Sequence, residues 1–180
     1  MSTVRDLVFV TVGTDHHPFN RLVEWVDAWA AEGLAGGTPC LVQSGTSTTP
    51  AHVPFRDYIR YDEMCEAMSR AIAVVSHGGP ATIMDARRLG RVPIVVPRDA
   101  ELGEHVDNHQ QRFARRMAEL GQIHLASGRH ELFALLEQAI AEPDAFGVVG
   151  SDTEIAAAVA RFSEMVDELV TGGRRRLALR

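Results

Sequence analysis

Cysteine is scarce in this sequence. Cys40 and Cys65 are the only two among 180 residues, and no C-x-x-C pair occurs. Two isolated thiols do not provide the disulfide framework of a small secreted protein. We therefore expect both to be core residues of a protein that works in a reducing cytosol.

Long apolar segments are also missing. No run approaches the roughly 20 apolar residues that cross a bilayer, and residues 1–6 (MSTVRD) lack the basic start and apolar centre of a signal peptide. We expect a cytoplasmic protein that is peripheral to the inner membrane only through a partner. The net charge of −6 argues against a nucleic-acid partner, which would favour a basic face.

Metal-binding signatures are the third absence. No D-x-D motif is present to hold a divalent ion on a diphosphate, and the spacing of His16, His17, His105 and His109 matches no zinc signature. The sequence therefore predicts no metal and no cofactor.

Short apolar runs, in contrast, alternate with segments of helical periodicity. This alternation predicts a doubly wound, Rossmann-like α/β domain with a parallel sheet and helices on both faces. The predicted strands cover residues 7–12, 40–42, 53–59, 71–75, 92–96 and 122–125, and the predicted helices begin near Leu22 and cover 62–69, 80–89, 108–120, 131–141 and 153–170. Trp25 and Trp29, four residues apart on the first helix, are expected to face the core or an interface.

Ligands of such sheets bind beyond the carboxyl ends of the strands. The loops at that edge are residues 13–18, 43–49, 76–80 and 97–107. Residues 76–82 (SHGGPAT) follow the clearest strand and begin a helix. Gly78 and Gly79 allow close approach to a ligand, Pro80 suits a first helical turn, and the helix N-terminus favours an anion such as a phosphate. The paired glycines would equally suit a tight turn without a ligand.

Two further polar elements lie near this loop. Asp85 follows Thr82 by one turn on the same helix face, where its carboxylate can accept from ribose hydroxyls. It could also be a surface aspartate stabilised by the helix dipole. Residues 103–110 (GEHVDNHQ) offer many polar groups to a ligand rich in hydroxyls, or form a solvated helix start.

Three ordered motifs, SHGGPATIMD at 76–85, GRVPIVVP at 90–97 and DNHQ at 107–110, resemble the C-terminal domain of GT-B glycosyltransferases. The opening VTVGT at 10–14 is most similar to the small catalytic subunit of two-subunit UDP-GlcNAc transferases and to the matching subunits of bacterial exopolysaccharide enzymes. The resemblance covers about residues 7–125.

The resemblance implies a role for individual residues. Gly78 and Gly79 hold a diphosphate, Asp85 takes the ribose, and Gln110 with His109 holds the donor sugar. The remaining implied substrate-binding residues are Gly13, Thr14, Arg60, Tyr61, Ser76, His77 and Thr82. Two positions depart from the family pattern: Asp85 stands where Glu is usual, and Phe113 stands where Asn is frequent.

The implied reaction is inverting transfer of GlcNAc or another hexose from a UDP-sugar to a lipid-linked glycan. His77 and the helix dipole would stabilise the departing UDP. His16 is the candidate catalytic base, although residues 15–18 (DHHP) could instead cap a loop, with Pro18 starting a helix. A non-catalytic UDP-sugar-binding or regulatory module, and less readily a sugar-nucleotide epimerase, stay open as alternatives.

A GT-B enzyme needs two Rossmann-like halves, and this chain supplies one. We therefore expect residues 1–150 to form the UDP-sugar-binding domain and a membrane-associated subunit to bind the lipid-linked acceptor. The apolar stripe of the predicted helix over 153–170, within the segment 151–180, would dock that subunit or pack on its own sheet. The isolated chain can also pair as a homodimer.

Overall fold

The computed structural model describes residues 5–148. The predicted helix over 153–170 and the proposed boundary at residue 150 lie outside the described residues. Among the described ones, no helix is long and apolar enough to cross a membrane.

Six parallel strands form a single sheet in the order β3-β2-β1-β4-β5-β6. Every residue of the two central strands, β1 and β4, is buried because helices cover both faces of the sheet. The strands are β1 (Leu7–Thr11), β2 (Cys40–Gln43), β3 (Phe55–Arg56), β4 (Ala71–Ser76), β5 (Ile94–Val95) and β6 (His124–Leu125).

Within residues 5–148, five α-helices connect or follow the strands. They are α1 (Asn20–Ala31), α2 (Tyr61–Arg70), α3 (Pro80–Arg88), α4 (His109–Glu119) and α5 (Arg129–Ala141), with short 3-10 turns at Ala100–Leu102 and Pro143–Phe146. This confirms the predicted doubly wound α/β fold. β3, β5 and β6 are shorter than predicted, with two residues each. β3 and β5 directly follow Pro54 and Pro93, which have no N–H to donate to a ladder.

Alternate residues of β1 pack on opposite faces of the sheet. Val8 and Val10 join the cluster formed with α1 and α5, in which Trp29 is fully buried and Trp25 packs at the margin. Leu7 and Phe9 face α2 and α3. Both tryptophans therefore contribute to the core, as expected. Cys40 is buried, Cys65 is partly buried, and both are free thiols.

The strand order determines where a ligand can bind. From β1 to β3, each new strand is added on one side of β1. From β4 to β6, each new strand is added on the other side, so the direction in which the sheet grows reverses between β1 and β4. Their last residues, Thr11 and Ser76, are paired in register. At such a switch point a crevice opens beyond the carboxyl ends of the two strands. The loops after β1 and β4 border that crevice.

Candidate functional site

The loop after β4 leads directly into α3. Ser76 ends the strand fully buried, Gly79 is the N-cap of α3, and Pro80 occupies the first helical turn. No side chain caps this helix and no acidic residue lies in its first turn. The first amides of α3 and the positive end of its dipole are therefore available to an anion. Thr82, partly exposed, lies in the same turn.

The His77 ring fills the space between two glycines. A Cβ on Gly13 would lie 2.4 Å from His77 Cε1, and a Cβ on Gly79 would lie 2.3 Å from His77 Nε2. Gly13 also has a φ of +80°, a conformation that glycine adopts without strain. These two glycines thus accommodate an imidazole, a purpose that the sequence analysis did not recognise.

Burial keeps this imidazole neutral. Desolvation, reinforced by the positive charge of Arg98, lowers the pKa of His77 to about 4. His77 Nδ1 is buried and has no hydrogen-bond partner among the described residues. At neutral pH His77 can therefore offer a hydrogen bond, but no charge, to a bound group.

We expect His77 to titrate near pH 4, well below its ordinary value of 6.5. Because the unfolded chain binds this proton at higher pH than the folded one, His77 should destabilise the fold as the pH falls from 6.5 towards 4. Proton-detected NMR of the histidine rings, with His77→Gln to assign the resonance, measures the pKa. An apparent pKa above 6 would contradict the burial argument.

The loop after β1 is held in place by β2. Gly13 N–H donates to Thr11 Oγ1 at 3.1 Å, and the Gly13 carbonyl accepts from Gln43 Nε2 at 3.0 Å. Thr11 Oγ1 in turn donates to Gln43 Oε1. Gly13 is buried and Thr14 is exposed, so a ligand in the crevice would meet Thr14 and the backbone of Gly13.

The structure distinguishes the two neighbouring histidines of this loop. Asp15 Oδ1 accepts from His17 N–H at 2.8 Å and lies 2.6 Å from His17 Nδ1. The His16 side chain is 84% exposed and approaches Asp15 only at 3.4 Å. The imidazole that a carboxylate orients is thus His17, whereas the sequence analysis singled out His16. Pro18 does not begin a helix, because α1 starts at Asn20 with Phe19 as its N-cap.

Arg98 is the central residue that the sequence analysis missed. It is fully buried just after β5, and its guanidinium donates to the carbonyls of Val12, His17 and Glu104 at 2.7–2.9 Å. It thereby joins the loop after β1 to the loop after β5. Its only signal in the sequence is an arginine that follows an apolar strand and a proline.

An ion pair between Arg21 and Glu104 strengthens the same junction. Glu104, also buried, accepts from Arg21 of α1 at 2.7 and 2.8 Å, and from the Asp99 N–H at 2.8 Å. Burial raises the pKa of Asp15, but the hydrogen bonds from His17, followed by the charge of Arg98, outweigh it and lower this pKa to about 2. Asp15 is therefore a carboxylate at neutral pH.

Asp85 of α3 and Tyr61 of α2 come together. The Tyr61 hydroxyl donates to Asp85 Oδ1 at 3.0 Å, and Arg88 of the next turn lies 3.8 Å from the same oxygen. The structure therefore brings the two predicted nucleoside contacts, residues 60–61 and Asp85, to one place. Arg60 is exposed and pairs with Asp62.

His109 and Gln110 are the first two residues of α4, which follows the loop after β5. Gln110 is buried, and a Cβ on Gly78 would lie 3.0 Å from its Cβ. Its Oε1 lies 3.5 Å from the Arg98 N–H. His109 is half exposed. Phe113, one turn later, is buried among Ile83, Val95 and Met117, so this position faces the core and not the crevice.

The sheet order, the switch-point crevice and the uncapped helix after the glycine loop define a Rossmann-like α/β domain. Residues 7–147 match the model of the glycosyltransferase family 28 C-terminal domain. The match covers most of the chain, and the chain belongs to this family.

Individual relatives agree with this assignment. The UDP-N-acetylglucosamine transferase subunit ALG13 of Yarrowia lipolytica is 38% identical over 56 residues, which are 31% of this chain and 26% of that protein. The chain also resembles a solved structure of an ALG13 protein in fold. The solution structure of ALG13 has a TM-score of 0.56 at 21% identity, over 87% of this chain and 96% of that one.

Larger glycosyltransferases share the fold over part of their length. The glycotransferase of kitacinnamycin gives a TM-score of 0.59 at 16% identity, with 90% of this chain and 40% of that one covered. MurG of Acinetobacter baumannii gives 0.56 at 16% identity, with 95% and 51% covered. The chain thus spans about half of these two structures, which are GT-B glycosyltransferases.

Proposed function

We propose that this chain is the donor-binding subunit of an inverting glycosyltransferase that moves a hexose, GlcNAc or another, from a UDP-sugar to a lipid-linked acceptor. The uncapped N-terminus of α3 at the switch point carries this proposal. Gly78 and the amides after Gly79 can take the diphosphate, because free N–H groups and the helix dipole favour negative charge there. The name of the ALG13 relative supports UDP-GlcNAc as donor.

The remaining proposed contacts are to the ribose, the base and the donor sugar. Asp85 accepts the ribose hydroxyls, and the backbone of residues 60–61 contacts the base, since Tyr61 already lies 3.0 Å from Asp85. Gln110 and His109, on the other side of Gly78, take the sugar. Ser76, Thr82 and Thr14 border the diphosphate.

Leaving-group stabilisation in this proposal comes from fixed groups of the chain. The α3 dipole and a neutral His77 stabilise the charge that develops on UDP. Because Arg98 is buried and positively charged between the loops, it adds a favourable field without needing to contact the nucleotide. The His17 imidazole, oriented by Asp15, is better placed than His16 to accept the proton of an acceptor hydroxyl.

The acceptor site belongs, in our proposal, to a second subunit that is associated with the membrane. The ALG13 relative is named as a subunit of its transferase, and the larger structures that share the fold are about twice as long as this chain. Sugar transfer by the purified chain alone would contradict the two-subunit proposal.

We expect UDP to bind without a divalent metal. Calorimetry of the chain with UDP in excess EDTA should show saturable binding of one equivalent, because the amides and dipole of α3 neutralise the diphosphate. CMP and UMP serve as controls, since each lacks the second phosphate and should bind more weakly. Loss of UDP binding in EDTA, with recovery in Mg²⁺ or Mn²⁺, would overturn this account of the phosphate site.

A further inference from the structure

A compact group of metal-ligating side chains lies beside the nucleotide crevice. His105, Asp107 and His109 occupy the end of the loop after β5 and the first residue of α4. Each offers one ligand atom, and the three atoms lie within 4.8 Å of one another. His105 is mostly buried, whereas Asp107 and His109 are about half exposed and accessible to an ion from solvent.

The three ligand atoms lie near one another. Asp107 Oδ1 lies 3.9 Å from His105 Nδ1 and is in short contact with His109 Nδ1. His105 Nδ1 accepts a long hydrogen bond of 3.4 Å from the Asp107 N–H. This nitrogen therefore carries a lone pair and not a proton, and a bound metal would replace the long hydrogen bond from the Asp107 N–H.

A fourth side chain lies near the other ring nitrogen of His105. Asp15 Oδ2, from the loop after β1, lies 3.5 Å from His105 Nε2. Metal-ligating histidines commonly donate their second ring N–H to a carboxylate, which fixes the tautomer and the ring orientation. Asp15 lies near this ring nitrogen, where such an outer carboxylate would accept the hydrogen bond.

We propose that His105 Nδ1, Asp107 Oδ1 and His109 Nδ1 bind one divalent first-row transition-metal ion, with Asp15 as the supporting carboxylate of His105. Two imidazoles and one carboxylate favour Zn²⁺, Co²⁺ or Ni²⁺ over Mg²⁺ or Ca²⁺, which take oxygen ligands. Bonds of about 2.0–2.2 Å place neighbouring ligand atoms about 3.3 Å apart. Metal binding therefore requires His105 Nδ1 to approach Asp107 Oδ1 from 3.9 Å, and the short contact between Asp107 and His109 to lengthen.

Three protein ligands leave a coordination position for water or another group. The site shares no residue with the glycine loop, so a metal there is separate from the diphosphate contacts. It shares His109 with the proposed sugar contacts. This inference revises the expectation of no metal, which rested on the absence of a D-x-D motif and on histidine spacings that match no zinc signature.

The test is a titration of the EDTA-treated, dialysed chain with Co²⁺ and with Zn²⁺ in the absence of nucleotide. We expect one equivalent of Co²⁺ to produce a visible absorption band that Zn²⁺ abolishes, and calorimetry to give the same stoichiometry. His105→Ala and His109→Ala should eliminate the band. Asp15→Asn should weaken binding about 10- to 100-fold, the usual effect of losing an outer-shell partner.

His52→Ala is the matched control. His52 also pairs with an aspartate, Asp27, at 3.0 Å, but it is in no group of three ligands among the described residues, so its removal should leave the titration unchanged. Far-UV circular dichroism and unfolding curves verify that each variant is folded.

Two outcomes would overturn the proposal. The first is a Co²⁺ titration without saturation at one equivalent, or one that His105→Ala and His109→Ala do not change in folded protein. The second is loss of the site in His16→Ala or His17→Ala with retention in His105→Ala, because Asp15, His16 and His17 form the other group of close ligand atoms. The titration contains no UDP, so its result is independent of the proposed glycosyl transfer.

Discussion

Replacing Arg98 by methionine is expected to lower the free energy of unfolding by about 3–5 kcal/mol, because three acceptors lose their donor at a cost of about 1–3 kcal/mol each. The methionine retains most of the apolar stem but removes the donors to Val12, His17 and Glu104. Three buried carbonyls then lose a charged hydrogen-bond partner, and each such loss is costly in the absence of water. Urea denaturation followed by circular dichroism measures the change.

The same variant should change the titration of His77. Since the charge of Arg98 lowers the pKa of His77, its removal should raise that pKa towards the ordinary value. Arg91→Met is the matched control: Arg91 is equally buried, but its guanidinium bonds the Pro143 carbonyl on a different part of the domain. It should destabilise the fold without affecting His77. A loss below about 1 kcal/mol in Arg98→Met, with an unchanged His77 pKa, would show that Arg98 does not organise the site.

The fold could be predicted because each buried strand has a continuous apolar run bounded by polar or glycine-containing loops. The run from Leu7 and the run ending at Ser76 become β1 and β4, buried on both faces. Their loops were predictable for the same reason, since all parallel strands end at one edge of the sheet. The ends of β3 and β5 were less predictable because ladder pairing, which the sequence does not display, decides where they stop.

Contacts between distant loops could not be predicted in this way. The hydrogen bond from Arg98 to the His17 carbonyl joins residues 81 apart in sequence, and an arginine in a polar loop is most often a solvated residue. The role of Gly13 is similar. Position 13 requires glycine partly because the His77 ring, which follows a different strand, occupies the space that a Cβ would fill. Such requirements arise from tertiary packing and leave no local pattern.

Asp85 and Gln110 should have separable effects on ligand binding. Asp85→Ala is expected to weaken UDP by about 1.5–3 kcal/mol, which is about 10- to 150-fold in Kd, because the ribose hydroxyls lose a charged acceptor. Two controls exclude indirect causes. Tyr61→Phe removes only the hydroxyl that bonds Asp85 and should have a smaller effect. Asp6→Ala removes an exposed carboxylate that pairs with Arg70 just before β1, at the opposite edge of the sheet, and should have none.

Gln110→Ala should spare UDP and weaken only the UDP-sugar or its turnover. Alanine keeps the Cβ that lies closest to the Gly78 position, so the glycine loop retains its packing while the amide is lost. Calorimetry with UDP and with UDP-GlcNAc on both variants gives the comparison. Asp85→Ala should reduce the two affinities by the same factor, since the ribose is common to both ligands, whereas Gln110→Ala should reduce only the second. Equal losses of UDP affinity in the two variants would contradict the assignment of Gln110 to the sugar and would make it a support for the diphosphate loop.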